Sequence, residues 1–329
     1  MANSKRIEWV DAAKGIGILL VIFGHTWLDW RYYNWCYAFH MPLFFVLSGI
    51  TFSDKREPLE FVLHKMKTLL IPYVFFVVYT IVIRGSLCLK CGQPYDVLAN
   101  AKAFLLQQRA SALWFLTTLF LAEIVVYCLS KARLLRNLKM GGVILLLLIS
   151  LHVFSVLTGN VNFVWNADLV PLASAFIIVG VFYKRLQQRI AFEKKSVSKW
   201  VVLLVFLMLS TANFAIAGRV NIHDNKYACL PLLYLAALAG VYAVILLMKS
   251  AKAPRWLLFL GVNSLLYYGL HSRIIEQFPV IWGKLGVNVD NTSLLSVVLA
   301  VISAVITMLI LTPVVNFINK RCPWIIGKF

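Results

Sequence analysis

The sequence predicts an all-α integral membrane protein with about ten transmembrane helices and both termini in the cytoplasm. Three observations lead there. Several apolar runs reach the roughly 20 residues that a helix needs to cross a bilayer. These runs lack the period-2 alternation of barrel strands, and only helices or closed barrels satisfy every backbone group in lipid. Lys and Arg, finally, are distributed asymmetrically between the connecting segments. Of the 329 residues 61% are hydrophobic and 14% charged, and mean hydropathy is +0.82. Length alone would suggest about two globular domains. The hydropathy overrides it, and residues 1–329 are read as one transmembrane domain.

Spans are expected near 12–30, 35–53, 69–86, 112–130, 141–158, 167–183, 200–217, 227–248, 257–275 and 293–318. The first apolar segment has no small-residue cleavage site after it and is read as a retained helix. With the N-terminus inside, most of the 32 Lys and Arg residues fall on the inner side, including the six from Lys184 to Lys199. A net charge of +19 thus sets topology by the positive-inside rule, and nucleic acid is not implied.

The first span organises the chain. It reads D-A-A-K-G-I-G-I-L-L-V-I-F-G-H from Asp11 to His25. Lys14 and His25 are eleven residues apart, about three turns at ~100° per residue, and so share one helix face roughly 16 Å apart along the axis. Ile18 and Val21 lie between them, and Asp11 sits one turn below Lys14. An ionisable group at membrane depth is costly and usually faces protein or a wet cavity. His25 is therefore the first candidate for chemistry, set against a packing histidine that hydrogen-bonds a neighbouring helix.

Trp27 to Tyr37 is rich in Trp and Tyr and fits an interfacial aromatic belt, with sugar stacking as the other reading. The second span opens at Phe39-His40-Met41-Pro42 and closes on Ser48 and Gly49, small residues that permit close helix approach. His40 lies close in depth to His25 if the two helices are neighbours. The basic segment from His64 to Tyr73 carries Lys65 and Lys67, which suit lipid headgroups or the phosphates of a cytosolic donor. The stretch Arg84 to Ser111 is the longest polar one outside, and its Cys88 and Cys91 form a weak disulfide candidate.

Trp114 begins the fourth span, and Glu123 inside that span is expected to face the bundle. His152 and Asp168 sit near span ends. Arg219 to Lys226, with His223 and Asp224, reads as a solvated turn. The ninth span carries Asn263, Tyr267 and His271, a set suited equally to helix–helix hydrogen bonds and to chemistry. No His/Cys/Asp/Glu cluster has metal-ligand spacing, so no metal is expected.

Together these motifs give the chain a family resemblance. I-E-W-V-D-A-A-K-G-I-G-I-L-L-V-I-F-G-H, F-H-M-P-L-F-F-V-L-S-G at 39–49 and K-M-K-T-L-L-I-P-Y at 65–73 resemble signatures of the acyltransferase 3 family. A-L-W-F-L at 112–116 and G-V-N-S-L-L-Y-Y-G-L-H at 261–271 resemble later family features. The fucose 4-O-acetylase-like branch is the most similar. Many members carry arginine where this chain has Lys14, and two arginines three apart where it has Lys65 and Thr68. Lysine keeps the charge without the bidentate fork.

The resemblance implies a cell-membrane O-acyltransferase that moves an acetyl group from cytosolic acetyl-CoA to a sugar hydroxyl. The acceptor implied is a surface glycan or its lipid-linked precursor. His25 then deprotonates the hydroxyl or carries the acetyl group itself. Lys14 neutralises a coenzyme A phosphate or pairs with Asp11. Substrate-binding roles are expected for His40, Lys65, Lys67, Trp114, Glu123 and His271. A passage through the bundle would let the thioester reach His25. A proton-coupled transporter or a flippase for lipid-linked glycans is the competing class, although no matched pair of broken helices in two halves points to one.

Overall fold

The computed structural model describes residues 6–109, 111–159, 163–189, 199–217, 220–227 and 229–328, and no β-strand occurs among them. Lys5, Lys194, Lys195 and Arg219, part of the expected charge pattern, lie outside the described residues. Helix α1 spans Glu8–Gly24, α2 Trp30–Tyr37 and α3 His40–Thr51. Helix α4 (Pro58–Lys65) continues through a π-helical turn, Met66–Leu70, into α5 (Ile71–Lys90). Next come α6 (Val97–Leu106), α7 (Trp114–Lys131) and α8 (Leu138–Leu157). A 3-10 segment at Val164–Leu169 leads into α9 (Val170–Arg189). The remainder is α10 (Lys199–Ala217), α11 (Leu230–Ser250), α12 (Arg255–Val262), α13 (Ser264–Ile275), α14 (Phe278–Lys284) and α15 (Leu294–Arg321).

Six helical stretches among the described residues are long and apolar enough to cross a membrane, and the chain is a multi-pass membrane protein. They are Pro58–Lys90, Trp114–Lys131, Leu138–Leu157, Val164–Gln187, Leu230–Ser250 and Leu294–Arg321. Several of the other expected spans take shorter or broken forms. The second is divided between α2 and the 12-residue α3. The ninth breaks at Asn263, where φ −107° and ψ 15° leave the helix and the side-chain amide bonds Phe259 O at 2.9 Å. Asparagine competes in this way with the helical ladder.

The expected polar stretch from Arg84 to Ser111 is mostly helical. Helix α5 runs on to Lys90, and Asp96 starts α6 by accepting from Ala99 N at 2.9 Å, an N-cap bond. Cys88 and Cys91 are both free thiols, which corrects the disulfide expectation.

The chain forms two compact units. The first holds Met1–Leu47, Arg189–Asn221 and Tyr227–Asn316; the second holds Ser48–Gln188, Ile222–Lys226 and Phe317–Phe329. Lipid tails are as apolar as leucine, so helices in a membrane associate by close packing and polar contacts. Glycine makes that packing possible in each unit. In the first, α1 lies hard against α12: a Cβ on Gly15 would sit 2.4 Å from Leu257 O, and one on Gly261 would sit 1.7 Å from Asp11 O. In the second, a Cβ on Gly49 would sit 1.9 Å from Ile177 O of α9. Only 17% of the most apolar α8 window is buried, against 67% for Val164–Gln187. Helix α8 therefore presents most of its leucines outward, Leu148 excepted, and α9 is an interior helix of its unit.

Candidate functional site

In the first unit, α1 ends at Gly24 and His25 is its C-cap (φ −97°, ψ 8°), with His25 N bonded to Ile22 O at 3.2 Å. His25 thus stands at the end of the helix, where the sequence had it within the span. Side chains explain the stop, because they take carbonyls that the next turn would have used. Tyr37 Oη donates to Gly24 O at 2.8 Å, and Thr26 Oγ1 to Phe23 O at 2.8 Å. The Tyr37 ring occupies the space beside Gly24, where a Cβ would come within 2.6 Å of it. Asp11 and Lys14 are half-buried on α1, while Ile18 and Val21 between Lys14 and His25 are buried.

The sequence motifs 7–25 and 261–271, and residues 39–47 of the motif 39–49, lie in this unit. The His25 ring lies 4.9 Å from the His271 ring in an edge arrangement with an interplanar angle of 65°. Helix α13 brings His271 there, fully buried. Its Nδ1 lies 2.8 Å from Tyr268 O and 3.0 Å from Tyr267 O. A carbonyl only accepts, so Nδ1 carries the proton and Nε2 keeps its lone pair. Tyr267 Oη reaches Thr312 Oγ1 at 2.8 Å and steadies the helix that holds His271. His40 opens α3 and is buried; its Nδ1 donates to Cys36 O at 2.7 Å, and its ring lies 4.8 Å from that of Tyr37.

In the second unit, Lys65 Nζ lies 2.5 Å from Glu123 Oε2, and Ser48 Oγ donates to Glu123 Oε1. Glu123 is 3% exposed. The expectation of two separate substrate-binding groups becomes one buried ion pair. Lys67 is exposed on the π turn. A π turn carries an extra residue and often marks a functional position. Here Pro72 gives the reason, since its ring would clash with the carbonyl four residues back in a regular helix. Ile71 N bonds Met66 O instead, five residues away. Gly327, at φ +71°, packs against this turn, and a Cβ there would be 2.4 Å from Lys67 O.

Trp114 begins α7, buried, with its ring 6.0 Å from that of His223. The sequence reading passed over Arg109. Its guanidinium reaches Asp168 Oδ2 at 2.6 Å and His223 O at 2.6 Å, and its backbone N bonds Asn166 Oδ1 at 3.0 Å. Asn225 Nδ2 also reaches Asp168 Oδ2, at 3.3 Å, and His152 Nε2 donates to Asn225 Oδ1 at 3.0 Å. Arg109, Trp165, Asn166 and Asn225 all have positive φ. Such strain persists only where surroundings over-determine it. The loop 222–226 is consequently a corner tied to this unit through His223 O and Asn225, while the Asp224 side chain keeps 38% exposure, as a solvated turn would. Burial pushes the His223 imidazole below its ordinary value, against Asp224, which acts the other way. Buried Asp168 near a span end was the available signal, since a buried carboxylate needs a cation.

Among the described residues no group of three or more His, Cys, Asp or Glu side chains could hold a metal ion. A family model described as an acyltransferase domain matches residues 7–313. No curated protein and no solved structure matches the chain.

Proposed function

The chain belongs to the acyltransferase 3 family, and on that premise we propose that it transfers an acetyl group from acetyl-CoA to a carbohydrate hydroxyl through His25. The observation that carries the reading is His25 itself, an imidazole at the end of a buried helix, set against a second buried imidazole. A sugar hydroxyl does not ionise at neutral pH, and histidine is the side chain whose ordinary pKa, about 6.5, suits it to take that proton.

In the simplest sequence of steps, one His25 nitrogen accepts the proton of the acceptor hydroxyl. The oxygen attacks the thioester carbonyl, an O–C bond forms, and the C–S bond breaks. The departing thiolate takes the proton back from the imidazolium, leaving ester and free coenzyme A. In the acyl-carrier variant, the lone-paired His25 nitrogen attacks the thioester, a C–N bond forms, the C–S bond breaks and coenzyme A leaves as thiolate. The sugar oxygen then forms the ester, the C–N bond breaks, and the hydroxyl proton ends on the thiolate as free coenzyme A.

Lys14 supplies positive charge on the same helix for a donor phosphate or pairs with Asp11. Lys67, exposed on the π turn of the second unit, is a cation suited to donor phosphates. Lys65, held by Glu123, fixes the turn that presents Lys67. His40 and His271 are the buried histidines on the His25 side, in the first unit, and Trp114 is a buried aromatic of the second. Residues 1–329 act as one acyltransferase domain of the fucose 4-O-acetylase-like branch, with about ten spans and both termini cytoplasmic, in the cell membrane. The acceptor is a surface glycan or its lipid-linked precursor. Family membership favours this reading over the transporter and flippase alternatives.

The test is thioester consumption. Purified protein given acetyl-CoA and host glycan should release free thiol that a chromogenic disulfide reports. Release only in the presence of glycan supports the proposal; no release above a protein-free control with any glycan or lipid-linked precursor of the host contradicts it.

A further inference from the structure

We infer that His271 is a positioning residue that acts through His25, its Nε2 lone pair accepting the N–H of the His25 imidazole during acyl transfer. The inference rests on the reading of His25 as the proton acceptor.

Four observations converge on it. The two rings lie 4.9 Å apart edge-on. Two ring nitrogens at a hydrogen-bond separation of about 3 Å, each about 1 Å from its own ring centre, put the centroids roughly 5 Å apart. The centroid spacing is compatible with the bond, which is not formed in the resting structure and needs a rotation of the His25 ring to align its N–H. The His271 tautomer is fixed by Tyr267 O and Tyr268 O, which both face Nδ1. That leaves Nε2 as an acceptor, and it is buried with no hydrogen-bond partner. A buried acceptor without a donor costs roughly 1–3 kcal/mol, and native structures keep such groups where they have a use. Finally, His271 is 0% exposed. It cannot touch an acceptor sugar, so its influence must pass through a neighbour, and His25 is half-buried beside it.

The chemistry follows from proton bookkeeping. When His25 takes the hydroxyl proton at one nitrogen, its other nitrogen bears an N–H that becomes more acidic in the imidazolium. An acceptor held at that N–H stabilises the charge and fixes the ring so that the basic nitrogen faces the hydroxyl. No proton moves on to His271, whose role is complete with the hydrogen bond. Catalytic hydrogen bonds are often long in the absence of substrate and tighten in the reacting complex. The unfilled Nε2 fits that pattern.

Two amide substitutions separate this role from a structural one. Gln places a carbonyl oxygen near the position of Nε2, whereas Asn places an NH2 near Nδ1. His271→Asn, His271→Gln and His271→Ala are compared with wild type for kcat, for KM of donor and acceptor, and for helical content and melting. Positioned proton transfer is worth about 10²–10⁴-fold. His271→Asn and His271→Ala should therefore lose at least about 10-fold in kcat with KM nearly unchanged, while His271→Gln stays within about 3-fold.

Carbethoxylation of His25 by diethyl pyrocarbonate, followed by mass spectrometry, reads the same coupling without turnover. The rate at His25 should fall in His271→Asn and His271→Ala and be retained in His271→Gln. A wild-type protein with no transferase activity would refute the acyl-transfer reading, and the carbethoxylation rates would then decide the His271 coupling alone. Equal rates in all variants, or activity rescued by Asn rather than Gln, would overturn it.

Discussion

The buried ion pair of the second unit sets up an asymmetry that mutation should expose. Glu123 is 3% exposed and is held by Lys65 at 2.5 Å together with the Ser48 hydroxyl. The Lys65 side chain is more open, at 20% exposure. Lys65→Met removes the only cation of the pair and leaves an ionised carboxylate in a dry setting, with one hydroxyl to satisfy it. Breaking a buried pair from that side costs about 3–5 kcal/mol. Glu123→Gln keeps an acceptor for Ser48, and the partly exposed ammonium can turn toward headgroups and water. That change should cost about 1–2 kcal/mol. The double variant should cost less than the sum by at least about 1.5 kcal/mol, because the second substitution removes the stranded charge that made the first expensive. The assay is reversible unfolding of purified protein in mixed micelles by detergent titration, followed by tryptophan fluorescence. Equal single losses that add in the double variant would refute the reasoning.

Three further outcomes follow from the same structure. Gly49→Ala should destabilise by roughly 1–3 kcal/mol, because its Cβ would meet the backbone of α9 at 1.9 Å, whereas Gly142→Ala on α8, with nothing within 4 Å, should stabilise by about 0.5–1 kcal/mol; the same unfolding assay reads both. Arg109→Ala strands Asp168 and should cost about 3–5 kcal/mol by that assay, while Arg109→Lys, which loses the fork, should recover only part. The pH dependence of stability should have two acid steps. His223 is held below its ordinary 6.5 by burial, so the folded state binds the proton less well than the unfolded state. Its contribution is complete above that value and is lost as pH falls below it, and His223→Gln should flatten that step. Asp290, held at about 2 from 3.8 first by the Ser293 backbone N–H and then by that of Thr292, loses its contribution below 3.8, as pH falls through about 2. Asp290→Asn should remove the lower step.

Much of the first unit was legible in the sequence because its motifs lie on short helices whose small residues dictate contact. Gly15 and Gly261 both fall inside the quoted motifs, and they are where α1 and α12 touch. His25 and His271 were singled out as ionisable groups at membrane depth, 246 positions apart, and the fold sets them ring to ring. The register was harder to see. Nothing in the apolar run told where α1 would stop, since the stop depends on Tyr37, a residue from the following helix, taking the Gly24 carbonyl.

The second unit was less legible for a similar reason. Lys65 and Glu123 were each recognised, but their pairing is a tertiary fact that spacing does not encode. Arg109 looked like one basic residue in a polar stretch, and only the fold reveals that it ties together Asp168, Asn166 and the carbonyl of His223. The form of individual spans was also hidden. A hydropathy window sums composition, and it does not register the break that a single asparagine makes at position 263.

The most direct measurement is acetyl transfer from labelled acetyl-CoA to host surface glycan in membranes carrying wild type or His25→Ala at equal protein level. The account predicts label on the glycan with wild type and a loss of at least about 10²-fold with His25→Ala, the lower end of what a positioned general base contributes. Equal labelling by both would contradict the central role of His25, and no labelling by either would contradict acetyl transfer to glycan itself.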